Sequence, residues 1–325
     1  MNRINSVPLS KEEADVLKIN TSVKLLRNTL FGYKSKERGL FPSIMYFIKG
    51  LTRELHIIPS LFEKIYERLS CKCFEKRWLK KSDNDFYYDF CGAKLPYDKS
   101  FPLGGVFHDT FYFYCLFHDN YSKNLVRKLD PYLNEGAYGY TGDGIDVKVN
   151  VGDIVIDAGA WIGDFSAYAV AKSAVVYAFE PTFETYKVLC KTAELNGSEK
   201  LYPIKKALGN EIGESYISIN DSNYGGNSIA FSRGGNSEKI EITTIDEFVV
   251  EKKLSRVDFI KADIEGFERY MLLGAKETLK KYAPKLAICT YHSPEDPKLL
   301  EQIVLEANPL YKIVHLKKKM LAQVI

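Results

Sequence analysis

The stretch Val155-Ile-Asp-Ala-Gly-Ala-Trp-Ile-Gly163, followed by Asp164-Phe-Ser166, decides how the 325-residue chain folds. A β-branched run ends in an acidic residue, small residues make a turn, and a helix opens near Gly163. In an open α/β sheet, the C-terminal edge of such a strand is where a nucleotide-like ligand binds. Gly159 and Gly163 let the backbone pass close to that ligand. The helix start offers free N–H groups to an anion. Further on, the run Val175-Val-Tyr-Ala-Phe179 ends in Glu180-Pro181. An acidic residue at the tip of a second strand is placed to accept hydrogen bonds from both ribose hydroxyls. Pro181 opens the next helix, and the plainer role for Glu180 is to cap it.

Outward from this point the alternation continues. Strands are expected over 153–158, 174–179, 201–207, 257–262, 285–291 and 310–315, with helices over 163–172, 182–195, 266–282 and 295–306. Strands alternating with helices define βαβ units and a parallel sheet covered on both faces. Between residues 209 and 244 the pattern breaks into short strand-like pieces around Gly225-Gly226 and Gly234-Gly235, as in a hairpin or flap. Within it, Asn223-Tyr-Gly-Gly-Asn-Ser228 reads as a cover over an acceptor or as a plain surface loop. Lys317-Lys-Lys319 reads as the charged turn between the last two strands.

The first part of the chain differs. Ser10-Lys-Glu-Glu13 is a capping box. Helices are expected over 11–30, 43–55 and 60–70, the last two opened by Pro42 and Pro59. Phe86-Tyr-Tyr-Asp-Phe90 and Phe111-Tyr-Phe-Tyr114 form an aromatic-rich block that fits packed helix or strand equally. Two domains follow: a helical, aromatic-rich one over residues 1–130 and an α/β one over 131–325.

Composition narrows the class. Charged residues make up 27% and hydrophobic ones 46%, which excludes disordered and fibrous chains. No apolar run approaches the ~20 residues that span a bilayer. No charged segment followed by an apolar core and cleavage site opens the chain, so a cytoplasmic location is expected. Residues 1–81 carry 17 Lys+Arg against 8 Asp+Glu, although the whole chain is only +3. Such a surplus suits an acidic partner or is simply a solvated helical face. The aromatic-basic motifs of RNA-binding modules are missing, so nucleic acid is set aside. Cys71, Cys73, Cys91 and Cys115, with His108 and His118, offer enough ligands for zinc, but their spacing fits no finger or knuckle. No metal is expected.

The glycine spacing also selects the ligand. A dinucleotide needs Gly-x-Gly-x-x-Gly so that a pyrophosphate can lie on the turn. Here the spacing is Gly-x-x-x-Gly, with Trp161 inside it. That favours S-adenosylmethionine, which has no phosphate but carries a carboxylate and a sulfonium.

Methyl transfer to a hydroxyl requires alignment and removal of one proton. Ile260-Lys-Ala-Asp-Ile-Glu265 follows the strand beside the first one. Asp263 is the expected base, with Lys261 to pair with it and Glu265 to orient it or bind substrate hydroxyls. A helix start made acidic for its dipole is the alternative. His292, beyond the strand expected over 285–291, is the rival base. Asp263 and Glu265 are also a conceivable cation pair, though too few carboxylates cluster in the sequence to favour it.

Taken in order, Val155–Ser166, Phe179-Glu-Pro181, Leu195-Asn-Gly197, Ala207-Leu-Gly209, Thr244-Ile-Asp-Glu-Phe248, Asp258–Gly266 and Ala287–Asp296 resemble the FkbM family of S-adenosylmethionine-dependent methyltransferases. The resemblance covers roughly residues 138–315. It implies a class I Rossmann-like fold and O-methylation, commonly of a sugar hydroxyl, so a sugar or glycan acceptor is the expected partner. It also implies that Asp157, Gly159, Ala160 and Gly163 wrap the methionine portion and that Ser166 meets its carboxylate. Glu180, with Pro181, would then hold the ribose, and Ala207 and Leu208 would lie beside the adenine. Ser228 would touch substrate. Trp161 departs from the family, which usually has a small or polar residue such as asparagine there.

Overall fold

The computed structural model describes residues 79–82, 85–90, 92–97, 138–219, 226–230, 236–316 and 318–325. All of them belong to one compact unit. The helices expected over 11–30, 43–55 and 60–70, most of the basic segment, the boundary near residue 130 and the cysteine–histidine set lie outside the described residues.

Strand β6 (Ile154–Ala158) is an inner strand of a seven-stranded sheet. On one side it pairs in parallel with β7 (Val175–Phe179), which pairs with β8 (Leu201–Ile204). On the other side come β12 (Phe259–Ala262) and β13 (Lys285–Cys289), also parallel. The last strand, β15 (Lys319–Val324), runs antiparallel between β13 and β14 (Tyr311–His315). This mostly parallel order, β14-β15-β13-β12-β6-β7-β8, is that of a methyltransferase-like α/β fold.

Among the described residues, six helices lie in the connections: α1 (Asp164–Ala171), α2 (Phe183–Asn196), α3 (Ile245–Glu251), α4 (Glu268–Leu273), α5 (Lys276–Tyr282) and α6 (Asp296–Ala307). The central strands are buried on both faces, as a covered parallel sheet requires. Ile156, Ile260 and Ile288 pack with Met271, Leu279, Leu300 and Val304 of α4, α5 and α6 on one face. Phe165 of α1 lies against Phe259 on the other.

Three expectations are corrected. The single helix over 266–282 is two, because the chain bends at Gly274. A Cβ there would lie 2.0 Å from the Gly209 carbonyl, so the close approach needs glycine. Asp246 then caps α5, accepting from the Glu277 and Thr278 backbones at 3.0 and 2.8 Å. The strand expected over 201–207 also splits. A tight turn, Lys206 N–H to the Ile204 carbonyl, releases β9 (Ala207–Leu208) from the main sheet. It joins a second sheet beside β11 (Ser237–Thr243), whose other partner is β10 (Gly213–Ser218). The hairpin expected between 209 and 244 is this β10–β11 pair.

The third correction concerns the N-terminal part. The described residues there are strands, not helices: β1 (Leu79–Lys81), β2 (Phe86–Phe90) and β3 (Ala93–Pro96) form an antiparallel sheet. Aromatic side chains suit a pleated, half-buried surface, which resolves the ambiguity of the Phe86 run. This sheet docks on α2 through Asn196, which accepts from the Lys94 N–H and donates to its carbonyl at 2.8 and 2.6 Å. A further hairpin, β4 (Tyr140–Gly142) with β5 (Ile145–Val147), leads into β6.

Candidate functional site

The loop leaving β6 is positioned from below. Lys261 on β12 sits beside Asp157 on β6, and its ammonium lies 3.0 Å from Asp157 Oδ1. It also donates to the Gly159 carbonyl at 2.6 Å. The Ser166 hydroxyl donates to the other oxygen, Asp157 Oδ2, at 2.6 Å. Burial works against the Lys261 charge, but Asp157, Asp263 and Asp164 outweigh it and hold its pKa above the ordinary lysine value. These groups are buried supports of the loop. Lys261 thus pairs with Asp157, where the sequence suggested Asp263, and the Ser166 hydroxyl faces Asp157.

Gly159 takes φ +71, and a Cβ on it would lie 2.1 Å from the Asp263 carbonyl. The loops that end β6 and β12 touch at this point. Gly163 acts elsewhere, since a Cβ there would meet Leu189 and Thr192 of α2, and its absence lets helix and loop close together. Ala160 is buried and anchors its N–H on the Phe179 carbonyl at 2.9 Å.

Above this floor opens a cleft. Gly159, Trp161, Glu180, Pro181, Ala207 and Leu208 line it. Glu180 accepts from the Trp161 N–H at 3.2 Å and from the Thr182 N–H at 3.0 Å. Burial dominates these bonds and pushes its carboxyl up to about 7. Trp161 has φ +50, which explains why asparagine or a small residue suits that position: they tolerate left-handed backbone better than a bulky side chain. Its indole Nε1 is buried without a hydrogen-bond partner.

On the opposite wall lie Asp263 and Glu265. Asp263 Oδ2 accepts from Tyr138 and Oδ1 from Tyr291, each at 2.9 Å. Burial disfavours its charge, yet Lys261, His292 and the two tyrosines win and lower its pKa. Glu265 sits at φ +53 before Gly266 at φ +98, a strained turn of the kind that gathers at functional sites. His292 Nε2 lies 3.6 Å from both Asp263 Oδ1 and Glu265 Oε1, and its Nδ1 is 3.1 Å from Glu268 Oε1. Burial alone would lower the His292 pKa. The surrounding carboxylates, Glu265 and Glu268 foremost, raise it to about 10. Ser228 does not line the cleft; its hydroxyl holds the Glu265 carbonyl at 2.8 Å.

The sequence reading missed several site residues. Ile217, Asn227 and Ile229 reach the cleft because Ser218 and Ser228 bridge the hairpin, and Lys206, Ile264 and Phe267 complete the wall. Tyr138 belongs to no motif and Tyr291, inside the Ala287–Asp296 stretch, was given no role; both meet Asp263 only through the fold. Asn223 to Gly225 of the expected cover lie outside the described residues.

The sheet order is that of a methyltransferase-like α/β fold, and the family match below supports an S-adenosylmethionine-dependent methyltransferase. Residues 157–311 match the methyltransferase FkbM domain. The hexuronic acid methyltransferase AglP of Haloferax volcanii is 26% identical over 166 residues, 51% of this chain and 67% of that protein. A crystal structure of methyltransferase FkbM from Methylobacillus flagellatus is 21% identical, with a TM-score of 0.43, and covers 68% of this chain. This chain spans 60% of that one. Aeropyrum pernix fibrillarin, crystallised with S-adenosyl-L-methionine, is 13% identical with a TM-score of 0.35; the match covers 55% of this chain and 70% of that one. Among the described residues, no helix is long and apolar enough to cross a membrane.

Proposed function

We propose that this chain methylates an oxygen of a sugar, with a uronic acid or another anionic glycan as the preferred acceptor. The carrying observation is that Asp263 and Glu265 face the same cleft as Glu180, across a loop whose Gly159 touches the Asp263 backbone. The residues fit the cofactor. Glu180 suits ribose hydroxyls, Pro181, Ala207 and Leu208 suit an adenine, and the buried Trp161 Nε1–H is a donor still lacking an acceptor. Bound S-adenosylmethionine supplies a methyl group made electrophilic by its sulfonium.

The chain's own part is alignment and proton removal. Asp263, kept ionised by Lys261, His292 and two tyrosines, takes the proton the acceptor hydroxyl loses. Its basicity is modest, so most of the rate comes from orientation. The uronic-acid reading draws on the Haloferax volcanii relative's name.

The test is a mass-shift screen with S-adenosylmethionine against neutral sugars, uronic acids and glycans bearing them. Uronic-acid acceptors should gain the mass of one methylene. Asp263→Asn should abolish that gain through the rate of transfer rather than through binding alone. Methylation of neutral acceptors only would overturn the acceptor class.

A further inference from the structure

We propose that Asp263, Glu265 and His292 form a binding site for a divalent first-row cation such as Mn²⁺, which holds the acceptor's oxygens beside the cofactor cleft. The inference rests on the methyl-transfer reading and names what positions the acceptor in it.

The geometry begins with His292. Its side chain is only 3% exposed, and Nε2 has no hydrogen-bond partner. It points between Asp263 Oδ1 and Glu265 Oε1 and stops 3.6 Å short of each. That is too long for a hydrogen bond. It is close to the separation of neighbouring ligand atoms around a small ion with bonds of about 2.0–2.2 Å. The three atoms converge from different elements, two from the turn after β12 and one from the loop after β13. Two carboxylate oxygens and one imidazole nitrogen form a donor set that suits Mn²⁺ or a neighbouring transition ion better than Ca²⁺.

A separate observation concerns the far side of the ring. Glu268 Oε1 lies 3.1 Å from His292 Nδ1, and its side chain is 1% exposed. Glu268 is itself fixed by the backbone N–H groups of Ile264 and Gly266, at 2.9 and 3.0 Å. Neither ring nitrogen makes a hydrogen bond, but a carboxylate 3.1 Å from Nδ1, on the ring edge away from Asp263 and Glu265, is the kind of partner that stands behind a metal-bound histidine. The loop carrying His292 is anchored too. Asp296 accepts from Arg269 and from the Ser293 N–H. Since Asp263 and Glu265 also line the cleft, an ion between them would present its open positions to vicinal sugar oxygens.

The test is Mn²⁺ titration of the chelator-stripped full-length chain, followed by electron paramagnetic resonance, with S-adenosylmethionine binding measured by calorimetry in parallel. One equivalent of Mn²⁺ should bind, with pulsed spectra showing nitrogen coupling from one imidazole. His292→Ala should weaken binding at least ~100-fold and Glu268→Gln about 10- to 100-fold. Mn²⁺ that fails to bind stoichiometrically, or binds with oxygen ligands alone, would overturn the site. Nitrogen coupling in the wild-type chain decides the matter even if a variant fails to fold. If the cofactor binds and Mn²⁺ does not, the ion site alone fails. If the cofactor does not bind at all, the methyl-transfer reading fails with it.

Discussion

Lys261 holds Asp157 at 3.0 Å beneath the cofactor loop, with side chains only 4% and 0% exposed. Removing one member of a buried ion pair leaves a charge with no compensation and costs about 3–5 kcal/mol. Lys261→Met should therefore lower the urea midpoint strongly, since it strips both Asp157 and the Gly159 carbonyl of their cation. Adding Asp157→Leu should recover much of that loss, because an apolar pair of similar volume avoids the desolvation penalty. A double variant no more stable than Lys261→Met would show that the ammonium's bond to Gly159 matters more than its charge.

Glu180 couples stability to pH with a definite sign. Its carboxyl is raised from 4.5 to about 7 by burial, so between those values the folded chain holds a proton that the unfolded chain has released. Stability from this group is fully present below pH 4.5 and is lost as pH rises through 7, by an amount on the order of 2–3 kcal/mol. In the unliganded protein, Glu180→Gln should remove that contribution to the decline between about pH 4.5 and 7, as read by thermal melts. Cofactor binding should show the reverse dependence. Ribose hydroxyls donate to the ionised carboxylate, so affinity should fall toward ~10-fold per unit below about pH 7 in the wild type and not in the variant. A pH-independent difference between the two proteins would refute the argument.

Gly159 is where two loops meet, and its replacement should be costly twice over. Alanine at φ +71 carries roughly 1–2 kcal/mol of left-handed strain. Its methyl would also sit 2.1 Å from the Asp263 carbonyl, which must move. Gly159→Ala should thus lower both the melting temperature and kcat, the latter because Asp263 shifts with its backbone. A variant that melts lower but keeps its full kcat would separate the loop contact from catalysis.

The α/β core was legible because apolar runs of period two and helical runs alternate cleanly from Ile154 to Tyr311. The first strand, its glycine loop and Glu180 were readable for the same reason: one local segment carries both the turn and its chemistry. The rest depends on pairing across the fold. Ser166 looks like a ligand residue in a motif, yet the helix turns its hydroxyl inward to Asp157. The break at Gly274 follows from the Gly209 carbonyl, 65 residues away, which no local window contains. Tyr138 reaches Asp263 across 125 residues, so no spacing rule could join them.

The β10–β11 hairpin supplies the last expectation, since it covers the cleft with side chains that the motif reading omitted. Ile217 is buried with Ala207 and Ile240 in the small sheet's own core, while Ile229 is only partly buried against that cluster and faces the cleft. Ile217→Ala should accordingly destabilise the fold, by about 2–4 kcal/mol. Ile229→Ala should leave the melting temperature nearly unchanged but remove apolar surface that a bound adenosyl group would cover. Losing such contact is worth roughly 1–2 kcal/mol, or about a 5- to 30-fold rise in Kd for S-adenosylmethionine. Calorimetry on the two variants separates the effects. Should Ile229→Ala bind the cofactor as tightly as the wild type, the hairpin would be a wall for the acceptor rather than for the cofactor.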